Sequence, residues 1–175
     1  LDLKLHDIPN TVAGAVRAVL SLGPAMLTLH AAGGRAMLEA AVAAAGTAAM
    51  RPWLLGITVL TSLDEQDLAS IGVRASPLDQ TLRMAELCAE AGLDGVVCSP
   101  LEIAALRRRF GQALRLVVPG IRAEGDAQGD QKRTMSPAEA MALGADVLVV
   151  GRPITRASAP RLAAEALTRG LARAA

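Results

Sequence analysis

The sequence predicts an α/β fold built on a parallel sheet, and three observations carry that prediction. Short continuous apolar runs recur along the chain, stretches with helical spacing alternate with them, and glycines mark many of the junctions. The apolar runs are residues 1–5, 25–29, 53–60, 94–98, 114–118 and 146–150. Unbroken runs of this length suit parallel strands covered on both faces. The helical stretches fall near 11–22, 34–45, 64–71, 79–91, 100–109, 137–143 and 160–173. Ser136-Pro137-Ala138-Glu139 is a well-formed helix start, with serine at the cap, proline in the first turn and glutamate three residues on. Gly23, Gly46, Gly92 and Gly111 sit where helices should stop.

Strict alternation over six such units places the helices outside the sheet. Two architectures fit, an open doubly wound sheet and a closed (β/α)8 barrel. Strand count alone suits the first. No glycine-rich dinucleotide turn follows a strand, however, and Gly33-Gly34 reads mainly as a turn. The far end of the chain tilts toward a barrel, because barrels often bind phosphate with the loops after their last two strands. Here those loops are VVPGIRAEGDAQGDQKRTMSP and VVGRPIT. The first is a long stretch without a pattern of its own, as functional loops often are, and it carries Arg122 and Gln131. The second sets Gly151 and Arg152 directly after the last strand. An arginine fork suits phosphate oxygens, and a glycine leaves its backbone N–H open to a ligand. Each residue alone reads equally well as a cap or as loop surface; the two loops together point to a phosphate grip.

Bulk properties narrow the class. The chain has 175 residues, 52% of them apolar, with one Trp, one Phe and no Tyr, so its core is aliphatic. A formal net charge of +1 gives no general pull toward nucleic acid or membrane. The arginine run at 107–109 has no aromatic platform beside it and reads as the solvated end of a helix. Cys88 and Cys98 lack metal-type spacing and read as reduced core residues of a cytoplasmic protein. No apolar run approaches the roughly 20 residues that span a bilayer.

The opening LDLKLHDIPNTV is the most unusual stretch. Side chains alternate along a strand, so Leu1, Leu3 and Leu5 take one face and Asp2 and Lys4 the other, with Asp7 close behind. Two readings fit the spacing: a charged functional cluster, or a buried ion pair closing a strand end with Asp7 capping the helix after Pro9. His6 stands beside Asp7 in the manner of a metal ligand, but no third ligand is near in sequence, and a structural hydrogen bond fits it better. His30, after the second strand, has no assigned role.

Taken in order, LDLKLHDIPNTV, LTLHAAGG, TVLTS, VVPGIR followed by GDQKR, and ADVLVVGRPIT resemble orotidine 5′-phosphate decarboxylase of the bacterial type. The match runs through the whole chain. The resemblance implies a (β/α)8 barrel, a single domain over residues 1–175 covering about the last six βα units. With about 30 residues per unit, two units, roughly 60 residues, are expected to precede Leu1. It implies a homodimer, a small-molecule substrate, and a reaction without cofactor or metal, from orotidine monophosphate to uridine monophosphate and CO2. Lys4 would protonate pyrimidine C6, Asp2 would hold Lys4 charged, and Asp7 would reach the neighbouring subunit's site with Ile8 and Thr11. Thr61 would touch the pyrimidine, and Pro119, Arg122, Gln131, Gly151 and Arg152 would form the phosphate and base-covering loops, with AEGDAQGDQ as a lid. A related sugar-phosphate lyase and a non-catalytic nucleotide-binding fragment are the alternatives.

Overall fold

The computed structural model describes residues 1–121 and 134–172. Its centre is a parallel sheet of five strands: β1 (Met26–His30), β2 (Trp53–Ile57), β3 (Gly95–Val97), β4 (Arg115–Val118) and β5 (Val147–Leu148). Each strand pairs with the next one in sequence. A doubly wound sheet reverses its strand order partway across; this sheet never does. The order is that of a barrel wall, so the barrel alternative holds.

Helices cover the outer face. They are α1 (Pro9–Leu20), α2 (Arg35–Ala45), α3 (Glu65–Ser70), α4 (Pro77–Glu90), α5 (Ile103–Phe110), α6 (Pro137–Ala142), α7 (Arg152–Thr155) and α8 (Pro160–Ala172). Leu27, Leu29, Leu54, Val96, Leu116 and Val118 point outward from the strands into this layer and belong to the buried core. The alternate residues, among them Thr28, Leu55, Ile57, Val97, Val117 and Val147, line the inner face.

Helix starts are set by local chemistry that recurs along the chain. Ser76, Ser99 and Ser136 each precede a proline, and each side chain accepts a hydrogen bond from a backbone N–H of the turn that follows. At Ser99 and Ser136 a glutamate three residues on returns a bond to the cap backbone, closing a capping box. The helix expected at 79–91 begins two residues earlier for this reason: Ser76-Pro77 carries the same signature as Ser136-Pro137. Likewise α1 starts at Pro9, whose fixed φ suits a first helical position. The stretch expected at 100–109 is divided into a 3₁₀ turn at Pro100–Glu102 and α5.

The amino ends of the strands are tied by a repeated device. Asp94, just before β3, accepts from the Leu54 N–H at 2.7 Å and from Arg51 at 2.6 Å. Asp146, just before β5, accepts from the Leu116 N–H at 2.6 Å and from Arg107. Each carboxylate thus satisfies a backbone donor on the neighbouring strand and is neutralised by a guanidinium. Arg107 also donates to the carbonyls of Gly144, Leu114 and Gly111. With a side chain only 13% exposed, it corrects the reading of the arginine run as solvated surface.

Two glycines are required by close approach. At Gly56 a Cβ would lie 2.2 Å from the Cys88 sulfur, so β2 and α4 touch through that gap. Burial in this contact pushes the Cys88 thiol up to about 12, as befits an inert core cysteine. At Gly95 a Cβ would meet the Arg115 carbonyl oxygen at 2.4 Å and its Cβ at 2.8 Å. The missing side chain lets Arg115 cross β3 and place its guanidinium 3.9 Å from the centre of the Trp53 ring on β2, a cation–π contact.

Gly95→Ala is therefore expected to destabilise the fold by about 1–3 kcal/mol, the usual cost of overpacking. Gly14→Ala, inside α1 with nothing within 4 Å of the new methyl, is expected to stabilise it by about 0.5–1 kcal/mol. Urea denaturation of both variants reads the opposite signs; like-signed shifts would contradict these contacts.

Candidate functional site

A cavity of about 420 Å³ occupies the inner face of the strand arc. Its wall is mostly aliphatic, from Met26, Leu55, Ile57, Val97, Val117 and Val147. Its polar groups are few and close to the rim: Asp2, Lys4, Thr28, Thr61 and Ser62. Cys98 and Pro119 complete the wall at the carboxyl ends of β3 and β4. Such a surface, apolar with a few convergent polar groups, suits a small ligand with one charged or polar edge.

The segment expected as a first strand at residues 1–5 is not one. Only Leu5 bridges to β1, opposite Leu29. The Leu1 carbonyl accepts from the Thr28 N–H at 3.3 Å, and the Leu5 N–H donates to the Thr28 carbonyl at 3.1 Å. In a regular parallel ladder the two residues bonded to one partner are two apart; here they are four apart. Residues 2–4 therefore bulge out of the ladder, the kind of break that re-aims side chains near functional sites. Lys4 carries the bend with a φ of 53°, a left-handed conformation that costs an L-residue about 1–2 kcal/mol.

The bulge brings the charges together at the cavity. The Lys4 ammonium donates to Asp2 Oδ2 in an ion pair. The Thr28 hydroxyl donates to Asp2 Oδ1 at 2.9 Å, and the Lys4 backbone N–H donates to the same hydroxyl oxygen at 2.9 Å. Partial burial pushes the Asp2 carboxyl up, but the Lys4 ammonium and the Thr28 hydroxyl outweigh it and hold the group below its ordinary value. Thr28 was not singled out by the sequence. The available signal was a lone hydroxyl residue inside AMLTL, on the strand face opposite Leu27 and Leu29.

Beside this cluster the His6 and His30 rings lie 5.3 Å apart. Partial burial, with His6 and Lys4 nearby, pushes the His30 imidazole below its ordinary value, while Asp2 pulls it the other way. Among the described residues no group of His, Cys, Asp and Glu could hold a metal ion.

The remaining predicted positions divide. Thr61 and Pro119 line the cavity with Asp2 and Lys4. Asp7, Ile8 and Thr11 do not; they sit at the exposed start of α1, with Asp7 accepting from the Ile8 N–H at 2.7 Å and Ile8 67% exposed. Gly151 precedes α7, a short helix the sequence did not suggest, and places Arg152 in its first turn, three residues beyond the cavity-lining Val149. Arg122, Gln131 and the AEGDAQGDQ segment lie outside the described residues. The ends of that loop are joined: Ile121 bridges to Met135, whose N–H donates to the Gly120 carbonyl at 3.3 Å. No helix among the described residues is long and apolar enough to cross a membrane.

Comparison with known proteins gives a consistent result. Residues 1–167 match the model of the orotidine 5′-phosphate decarboxylase / HUMPS family. The chain is 51% identical to orotidine 5′-phosphate decarboxylase of Glaesserella parasuis, over 98% of this chain and 75% of that protein. Identity to the enzyme of the same name from Rhodospirillum rubrum is 55%, over 94% of this chain and 68% of that one. Among solved structures, orotidine 5′-phosphate decarboxylase from Lactobacillus acidophilus superposes with a TM-score of 0.84 at 39% identity, over 98% of this chain and 74% of that chain. The enzyme of that name from Pyrococcus horikoshii gives a TM-score of 0.73 at 29% identity, over 98% and 72%. The strand arc is thus the wall of a (β/α)8 barrel, and the chain spans about three quarters of these relatives.

The His30 environment carries a stability prediction. Folding lowers the imidazole below the ordinary 6.5, so the unfolded chain binds the extra proton first as pH falls. Stability is then intact above the ordinary histidine range and lost on descending through it. Thermal unfolding should show a falling Tm below about pH 6.5, with a flatter profile in His30→Asn. An equal fall in the variant would contradict this.

Proposed function

The chain belongs to the orotidine 5′-phosphate decarboxylase / HUMPS family, and from that premise we propose that it converts orotidine 5′-phosphate to uridine 5′-phosphate and CO2 in pyrimidine biosynthesis. The observation that carries this reading is the Lys4–Asp2 pair at the rim of an aliphatic cavity, in a chain about half identical to proteins bearing that enzyme's name.

In the proposed reaction the bond from C6 to the carboxylate breaks, its electron pair stays on C6, and CO2 leaves. A proton then passes from Lys4 Nζ to C6. The ammonium serves twice: it supplies that proton, and before transfer it stabilises the negative charge building on the ring. At about 4 Å and an effective dielectric near 20, one such pair is worth about 4 kcal/mol, or close to a thousandfold in rate if realised only in the transition state. Asp2, held as a carboxylate by Lys4 and Thr28, keeps the lysine charged and in place. The Lys4 ammonium supplies both the countercharge and the proton for the pair left on C6, so the step balances without an external cofactor or metal.

The substrate's pyrimidine would lie against the aliphatic wall, edged by Thr61 and Pro119, with its phosphate toward Gly151, Arg152, Arg122 and Gln131. Binding at that remote group can hold a closed site over the ring and exclude water. We assign Asp7, Ile8 and Thr11 to the neighbouring site of a homodimer. In support, none of the three lines the cavity of its own chain, and Ile8 presents an exposed apolar side chain beside the Asp7 carboxylate. The two free buried cysteines fit a cytoplasmic enzyme. A metal-dependent sugar-phosphate lyase of the same fold is the second reading; activity abolished by a chelator would favour it.

Lys4→Ala in the intact gene product should abolish CO2 release while leaving binding of 6-azauridine 5′-monophosphate, read by titration calorimetry, largely intact. Full retained turnover would exclude the acid role. Mixing inactive Lys4→Ala and Asp7→Ala proteins should restore part of the turnover through hybrid dimers carrying one intact site. No recovery from subunits shown to exchange would place Asp7 in its own subunit's site.

A further inference from the structure

We propose that Thr28 is a positioning residue for decarboxylation: its hydroxyl sets the aim of the Lys4 ammonium by fixing the backbone of the bulge. The inference rests on the role assigned above to Lys4.

A bulge leaves backbone groups without their usual ladder partners. Between the bonds from Thr28 to Leu1 and to Leu5, the backbone of residues 2–4 has no partner strand to follow. Lys4 in its left-handed conformation turns its N–H out of ladder direction. One group receives it, the Thr28 hydroxyl at 2.9 Å. A hydroxyl has a single proton and free lone pairs. Here the lone pair takes the Lys4 N–H, and the proton goes to Asp2 Oδ1 at 2.9 Å. The other Asp2 oxygen takes the Lys4 ammonium. The three contacts and the lysine side chain itself close a ring from Thr28 to Asp2, to the lysine head, down the lysine side chain to its own backbone, and back to Thr28. Both ends of Lys4 are thereby referred to one oxygen atom.

That oxygen is itself fixed. Thr28 is 7% exposed, and its neighbours Leu27 and Leu29 are fully buried against the helix layer. The Thr28 side chain also prefers few rotamers, being β-branched. The hydroxyl therefore passes the rigidity of β1 to a segment that is otherwise at the edge of the sheet. Ionic attraction alone would not do this: the Lys4 and Asp2 side chains are 47% and 67% exposed, and an exposed ion pair tolerates many geometries. Valine has the shape of threonine without the hydroxyl. In Thr28→Val the Lys4 N–H loses its acceptor, only the backbone bonds at Leu1 and Leu5 still hold the ends of the bulge, and the residues between them shift, which swings the ammonium away from its place on the rim.

The test compares Thr28→Val, Thr28→Ser and Lys4→Ala in the intact gene product, with kcat and KM for orotidine 5′-phosphate and thermal unfolding of each. Thr28→Val should lose at least about tenfold in kcat with KM changed by less than about threefold, the signature of an interaction that matters in the transition state. Thr28→Ser, which keeps the hydroxyl, should recover most of that loss. If valine does not fold, Thr28→Cys, with its weak donor and acceptor, should show the same split. Unchanged kcat in the valine or cysteine variant, or a serine variant as impaired as valine, overturns the inference. If those variants stay fully active while Lys4→Ala is dead, the positioning role alone falls. If Lys4→Ala itself turns over, the assignment of Lys4 falls with it.

Discussion

The charges at the cavity rim rest on a stretch of chain that has left the sheet, and its return is governed by one buried threonine. Leu1 and Leu5 are both bonded to the Thr28 backbone, and the residues between them bulge toward the cavity. A flat strand there would carry Asp2 and Lys4 on one face by alternation alone. The bulge does more: it lets a carboxylate and an ammonium meet each other and a common hydroxyl at once. Whatever reaction the cavity performs with this lysine depends on that departure from regular pairing.

The opposite end of the wall is built for stability. Asp94 and Asp146 hold strand N–H groups and are each held by an arginine. Partial shielding makes such bidentate and bridged contacts more valuable than ordinary surface pairs. Arg115 stacked on Trp53 across Gly95 fills the same end with the chain's only tryptophan. The division, carboxylate–arginine ties at the amino ends of the strands and the cavity's polar groups at the other end, is the usual arrangement of a barrel enzyme.

Much of this was legible in the sequence because it is set locally. Continuous apolar runs located every strand of the sheet, and Ser136-Pro137 marked a helix start through contacts within a single turn. The same serine–proline pair at 76–77 was readable by the same rule. The site was less legible. Asp2, Lys4, Thr61 and Pro119 were named, but their common ground is tertiary: Thr28 lies 24 residues from Lys4, and no periodicity joins them. The bulge escaped because its cause, a hydroxyl on the neighbouring strand, is invisible within residues 1–5. Arg107 was misjudged for a related reason, since its acceptors at Gly144 and Asp146 lie far along the chain. Helix α7 is too short to leave a periodic signal.

The most direct measurement is a crystal structure of the intact protein with 6-azauridine 5′-monophosphate, in which a ring nitrogen replaces the carbon to be protonated. Lys4 Nζ is expected within about 2.6–3.2 Å of that nitrogen, still joined to Asp2, with the Lys4 backbone still bonded to Thr28. A ring bound in the cavity with the lysine turned out to solvent, or with another group donating to that nitrogen, would contradict it.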